Sequence, residues 1–246
     1  MKKIGIIVEA RLGSTRLPGK IMKKINNKPM LFYMIERLKL IKNIDDIVIA
    51  TTNSKNDDLI YEFSRSQNVN CFRGSENNVM HRVIKCAEKF KIHHIVEITG
   101  DDPLIDPDIS SKVIKKYIKN CIQNLICAND FYKQVPLGLY TRVFSLNTIK
   151  KIYKKSNIFN REHVESYFYQ NPFEFYFIHT HRYFKFSNRD DIRLTVDTIE
   201  DFNVIKKIIN HFKNKNDFRL SEIIHFFDKN PSIKNINNNI KQNVII

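Results

Sequence analysis

A chain of 246 residues with 42% hydrophobic content can bury the core of one large α/β domain with a subdomain, so one cooperative body is expected. The net charge of +15 comes from Lys spread along the whole chain, with no basic stripe interleaved with aromatics; this argues against a nucleic-acid partner and for steering of small anions. Cys71, Cys86, Cys121 and Cys127 form no CxxC pair, and Glu9 and Arg11 interrupt the first apolar run, so a disulfide framework, a signal peptide and membrane insertion are all unexpected and the protein reads as cytoplasmic.

Residues 4–20, IGIIVEARLGSTRLPGK, open with Ile4, Ile6, Ile7 and Val8, a branched apolar run suited to a buried central strand. The strand gives way to a loop carrying Arg11, Arg16 and Lys20 among Gly13, Ser14, Pro18 and Gly19. Glycines let backbone N–H groups approach an anion while three cations neutralise it, so the loop suits a triphosphate. It is not a Walker A loop, because five residues separate Gly13 from Gly19 and Ile21 follows Lys20; nor does a GxGxxG follow the strand.

Behind Pro29, the apolar residues Leu31, Met34, Ile35, Leu38 and Ile41 predict a helix ending near Asn43. A strand over 47–51 follows, then a helix led by Asp57 and Asp58, a strand over 69–72, a helix carrying Val79, Val83 and Ala87, and a strand over 95–99. This alternation predicts parallel βαβ units with helices on both faces. If the strands are ordered 3-2-1-4, the first and fourth are neighbours at the switch point. The loop GDDPLIDP would then set Asp101 and Asp102 opposite Arg11, Arg16 and Lys20, an acid-base crevice suited to a metal–triphosphate complex.

After a strand near 125–130 the pattern changes. Segments 138–145 and 175–181 alternate like antiparallel strands around a helix over 160–171, on which His163 and Tyr167 would share one face. His179 and His181 would share a strand face without a third metal ligand nearby. Residues 193–201, RLTVDTIED, return as a short strand ending at Asp197, an acid that also suits the N-cap of the following helix. Beyond Asn230 the Asn-rich sequence predicts a loosely packed tail.

Together ARLGSTRLPGK, TGDDPLIDP and VDTIED resemble the cytidylyltransferases that make CMP-activated acidic sugars, nearest to the spore-coat polysaccharide F type. The resemblance implies an α/β, Rossmann-like doubly wound mixed sheet of the glycosyltransferase-A kind with a small α+β subdomain. Its parts would be a nucleotide-binding core (1–130), an acceptor-binding and dimerisation subdomain (131–190), a return to the core (191–229) and a tail (230–246). It further implies that CTP is bound by Ala10, Arg11, Leu12, Gly13, Ser14, Arg16, Lys20, Thr51 and Gly100, with Lys20, Arg11 and Asp101 catalytic. Mg2+ would be held by Asp101 and Asp197, a small acidic acceptor by Arg161, His163 and Tyr167, and the chain would be a homodimer. The chain departs from the spore-coat type at Glu97, where Arg is usual, and at Asp102, where Cys is usual, which leaves the acceptor open.

The reaction expected is attack of an acceptor oxygen on the α-phosphorus of CTP with release of pyrophosphate, for surface glycan biosynthesis. Two alternatives stand beside it: a nucleotidyltransferase of the same fold using another NTP or a phosphorylated acceptor, and a non-catalytic protein that binds polyanions through its excess charge.

Overall fold

The computed structural model describes residues 2–130, 135–180, 189, 191–213 and 215–242. Its central strand is β1 (Ile4–Glu9), flanked in parallel by β4 (Asp46–Thr52) and β6 (His94–Thr99), so that Ile7 stands beside both Val48 and Glu97. Beyond β4 lies β5 (Asn70–Gly74), also parallel, and the four strands have the predicted order 3-2-1-4. A two-stranded hairpin, β2 (Lys24–Ile25) with β3 (Lys28–Pro29), stands apart from this sheet.

On the other side of β6 the sheet continues with β8 (Arg142–Ser145), antiparallel to both β6 and β7 (Leu125–Ala128), and ends at β9 (Tyr176–His179). Residues within 131–190 therefore extend the same seven-stranded mixed sheet instead of building another. β9 pairs in parallel with β7, where an antiparallel strand was expected. Its alternation marks a half-buried strand but carries no information about the neighbour; entering from the end at which β8 leaves, it runs with β7. His181 lies outside the described residues.

Side chains on successive positions of β1 point to opposite faces, and both faces are apolar. Ile6 and Val8 meet α1 (Met30–Leu38), α4 (Pro107–Lys119), α8 (Ile199–His211) and α9 (Leu220–Lys229), with α2 (Asp58–Ser66) adding Ile60. Ile7 meets the opposite layer, α3 (Val79–Lys89), α5 (Leu146–Lys155) and α7 (Val164–Gln170). Each such branched side chain, fully withdrawn from water, contributes roughly 1.5–3 kcal/mol of hydrophobic stabilisation. The central position of the first strand thus follows from its composition.

Three local expectations change. α1 stops at Leu38, and the chain turns through Asn43 in a left-handed conformation (φ 63°). Residues 193–196 make a single bridge from Arg193 to Leu137, not a strand, because they lie over the end of the sheet. There Val196 N donates to Asp101 O (2.9 Å), and a Cβ at Gly138 would lie 2.4 Å from Thr195 N. The tail is anchored at a few points: Ile233 and Ile236 rest on the core and Asn237 is buried, while most of its other described residues are exposed. Among the described residues, no helix is long and apolar enough to cross a membrane.

Candidate active site

The carboxyl ends of β1 and β6 are adjacent, and their loops face one another across a cleft of about 420 Å³. Gly100 makes this approach possible: its N–H donates to Glu9 O at 2.8 Å, and a Cβ there would sit 2.8 Å from the same oxygen and 3.2 Å from Ala10 Cβ. Ala10, Arg11, Gly13, Ser14, Arg16 and Lys20 line one wall, Gly100 and Asp101 the other, and Asp197 closes the floor.

The first loop is pinned at both ends. Leu12 N donates to Asp57 Oδ1 (2.8 Å), and Gly19, left-handed at φ 67°, returns an N–H to Leu12 O (3.0 Å). The buried Asp57 carboxylate also takes Thr52 N (3.3 Å) and the Thr52 hydroxyl. It does not cap α2, whose first residue is Asp58. Lys20, following Gly19, therefore enters the cleft from a fixed backbone.

Lys20 Nζ is the point on which the site converges. It donates to Asp101 Oδ2 (2.8 Å), Asp197 Oδ1 (3.0 Å) and Val196 O (2.6 Å). Burial disfavours the ammonium, but the two carboxylates outweigh that penalty and raise its pKa above the ordinary value. Burial likewise opposes the Asp197 charge, yet Lys20, Arg16 and Arg193 hold its pKa below the usual carboxylate range. Arg16 lies 2.9 Å from Asp197 Oδ1 and Arg193 2.7 Å from Oδ2.

Several expected site residues make other contacts than expected. Asp102 turns from the cleft to the Thr99 hydroxyl (3.0 Å), and burial beside Asp101 pushes its carboxyl up to about 7. Arg11 does not face the aspartates; it pairs with Glu162 (3.2 Å) and reaches Glu76 O (3.4 Å). Leu12 gives its side chain to the core, and Thr51 is fully buried. The Asp197 side chain does not cap α8: Thr198 is the N-cap, in a capping box with Asp201.

The expected helix over 160–171 is interrupted at His163, which ends α6 (Ile158–Glu162) and precedes α7. His163 and Tyr167 therefore do not share a face. His163 lines the cleft, whereas Tyr167 packs on Phe175 and donates to Glu174 (3.3 Å). Arg161 stacks its guanidinium over Tyr153 at 4.8 Å. Of the three acceptor candidates, His163 alone lines the cleft.

Asp101 and Asp197 present hard carboxylate oxygens to a single cation, here the Lys20 ammonium. Such a pair suits Mg2+, which is bound through one or two carboxylates and completes its shell with water and substrate phosphates. Among the described residues no group of three or more His, Cys, Asp or Glu is arranged to hold a metal. The residues present fit a cation that arrives with its nucleotide.

Six further charged residues near the cleft are not among the expected site residues. Asp57 is visible in sequence only as a helix-leading acid, and Arg193 and Asp201 as neighbours of Asp197 at i−4 and i+4. Glu9, Glu97 and Arg142 form a charged cluster across β1, β6 and β8, with Arg142 bonded to Glu97 (3.1 Å) and Asp130 (2.7 Å). Burial and mutual repulsion raise the Glu9 carboxyl well above its ordinary range; burial raises that of Glu97 despite Arg142. Register sets Glu97 opposite Arg142, while Glu9, opposite Thr99, is the diagonal neighbour of Glu97 on the same face, so spacing along the chain does not reveal the cluster.

Comparison with known proteins agrees with this geometry. The chain is 40% identical over 245 residues to an uncharacterised protein of Methanocaldococcus jannaschii, covering 98% of this chain and 97% of that one. It is 30% identical over 239 residues to a spore coat polysaccharide biosynthesis protein of Bacillus subtilis, with 94% and 96% coverage. The solved structure of a cytidylyltransferase from Leptospira borgpetersenii superposes with a TM-score of 0.90 at 33% identity, covering 99% of this chain and all of that one. The cytidylyltransferase family model matches residues 5–230. With that match spanning the first loop, both aspartate segments and the sheet between them, the chain belongs to the cytidylyltransferase family and is a CTP-dependent nucleotidyltransferase.

Proposed function

We propose that this enzyme transfers CMP from CTP to a small acidic acceptor, such as an acidic sugar, and that it works with Mg2+ held by Asp101 and Asp197. The observation that carries the reading is the convergence of Asp101 and Asp197 on one cation at the floor of a cleft walled by a basic, glycine-containing loop. When bound, Mg2+ supplies Lewis-acid polarisation of the α-phosphate and neutralises its charge.

The chain's own residues do the rest by position. Lys20 and Arg11 stabilise the triphosphate and the departing pyrophosphate, and Arg16 shapes the loop around them. Little covalent chemistry is required of the protein, since holding the acceptor oxygen in line with the α-phosphorus removes most of the entropic barrier. His163, at the α6–α7 break and on the cleft surface, supports entry of the acceptor from that side. A role in surface glycan biosynthesis is supported by the relative named for spore coat polysaccharide. The exposed apolar side chains Ile158, Phe159, Phe173 and Tyr176 favour a homodimer.

Thermal unfolding with each of the four NTPs, with and without Mg2+, tests the reading before the acceptor is identified. CTP with Mg2+ at a hundred times its dissociation constant should add about 2.7 kcal/mol to stability. Asp101→Asn should lose the metal-dependent part. An equal shift from every polyanion, independent of metal, would leave charge alone as the basis of binding and sink the proposal.

A further inference from the structure

Asp197 is held from outside the cleft as well as from within it. Its Oδ1 faces Lys20 and Arg16, while its Oδ2 accepts from Arg193 Nη2 at 2.7 Å. Arg193 has no freedom left to choose another partner. Its Nε donates to Asp201 Oδ1 (2.9 Å), its Nη2 also reaches Asp201 Oδ2 (3.3 Å), and its Nη1 donates to Gln242 Oε1 (2.7 Å).

Asp201 is fully buried, and a buried carboxylate needs donors on both oxygens. Besides Arg193 it accepts the backbone N–H of Asp197 (2.9 Å) and of Thr198 (3.1 Å), and Asn237 Nδ2 (2.9 Å). The same Asn237 amide donates to Arg193 O at 3.2 Å. Asn237, buried in the tail, thus ties both the acid and the base that orient Asp197. Remove it, and Asp201 Oδ1 keeps Arg193 Nε as its remaining side-chain donor among the described residues. Both Asn237 and Gln242 lie beyond residues 5–230, the span of the family match.

We propose that the carboxy-terminal tail, acting through Asn237, Asp201 and Arg193, fixes the rotation of the Asp197 carboxylate and so sets how tightly the site takes a divalent cation with its nucleotide. Asn237, Arg193 and Asp201 are positioning residues; none of them lines the cleft. The inference rests on the reading of Asp197 as a metal ligand given above. Keeping Oδ2 on Arg193 leaves Oδ1 as the oxygen turned to the cleft. A carboxylate free to rotate would present either oxygen and spend much of its time on a neighbouring guanidinium.

The test is Mn2+ binding to the full chain, followed by electron paramagnetic resonance in the presence of CTP, beside CTP binding measured by calorimetry with EDTA. Asn237→Leu removes both donors at similar volume, and Gln242→Ala removes the exposed contact to Arg193 without touching the core. Asn237→Leu should weaken Mn2+ about tenfold or more, as loss of a partner behind a metal ligand does, while metal-free CTP affinity stays as in the wild type. Gln242→Ala should move Mn2+ affinity in the same direction by less, and it decides the question alone if Asn237→Leu does not fold. Unchanged Mn2+ affinity in the folded variants overturns the proposal, and so does a parallel fall in metal-dependent and metal-free binding, which would make the tail merely structural. If the wild type takes up no Mn2+ with CTP, the reading of Asp197 falls and this inference with it; if the wild type does and the variants match it, only this inference falls.

Discussion

The Lys20 ammonium lies 2.8 Å from Asp101 Oδ2, although the two residues stand 81 positions apart. The contact exists because β1 and β6 are neighbours, so the loops leaving them meet at one end of the sheet. The Lys20 ammonium is thereby held between two carboxylates, Asp101 and Asp197.

This arrangement makes Lys20 a competitor of any divalent cation. Replacing it with Met should weaken CTP binding in the absence of metal by about tenfold or more, since a charge-assisted contact to phosphate is lost. The same change should strengthen Mn2+ binding in the absence of nucleotide, because the carboxylates of Asp101 and Asp197 lose the ammonium they share. Calorimetry with each ligand separately measures both, and a fall in Mn2+ affinity would refute the competition.

Asp57 is a structural anchor of the nucleotide loop. Asp57→Ala leaves Leu12 N and Thr52 N without their acceptor, which should cost about 1–3 kcal/mol in urea unfolding. Faster hydrogen exchange at the Leu12 amide, together with weaker CTP binding, would show that the loss is transmitted to the loop. An unchanged Leu12 exchange rate would show that the loop does not depend on this carboxylate.

Gly100→Ala tests the close approach of the two loops. The added methyl would press on Glu9 O and Ala10 Cβ, and both are held by the sheet. Overpacking of this kind costs about 1–3 kcal/mol. Chemical unfolding gives the stability, and a normal response to CTP in the variant would show that the loops can part without loss of the site.

The Glu9–Glu97 pair gives stability a pH dependence of defined sign. Burial, with mutual repulsion at Glu9, raises both carboxyls in the folded state, so as pH rises the unfolded chain releases its protons first. The contribution is full below the ordinary carboxylate range and is lost as pH climbs through the raised values. Glu9→Gln should therefore gain on the wild type in urea unfolding as pH rises above the ordinary carboxylate range. A constant difference as pH rises would mean that Glu9 is already ionised in the folded protein.

Tyr167 and His163 separate two accounts of the subdomain. Tyr167→Phe removes a hydroxyl bonded to Glu174 outside the cleft and should alter stability by about 1 kcal/mol while leaving CTP binding and CMP transfer intact. His163→Ala should impair transfer to the acceptor with little change in CTP affinity. A transfer defect in Tyr167→Phe without loss of stability would return Tyr167 to the acceptor site.

Much of this protein is written locally. Continuous branched runs between amphipathic segments determine parallel strands buried on both faces, and the turn after the first strand is marked locally by its basic residues and glycines. Strand order 3-2-1-4 is an assumption of the doubly wound reading that the structure bears out, and it brings the loop at Asp101 to the loop at Lys20. The break at His163 was not legible, because the apolar spacing of 160–171 continues through it. Nor was the direction of β9, since alternation reports burial and not the neighbour.

What the tertiary structure alone decided is which charged groups share a site. Asp101 and Asp102 are adjacent and chemically equal, yet one faces Lys20 and the other is buried against Thr99. Asp197 and Asp201 lie four residues apart, one before the N-cap of α8 and one within the helix, and their placement around Arg193 separates a cleft carboxylate from the acid behind it. Local sequence determines backbone conformation through sterics and hydrophobic periodicity, which act over a few residues. Pairing of buried charges depends on distances across strands and loops far apart in the chain, and the packed sheet sets those distances.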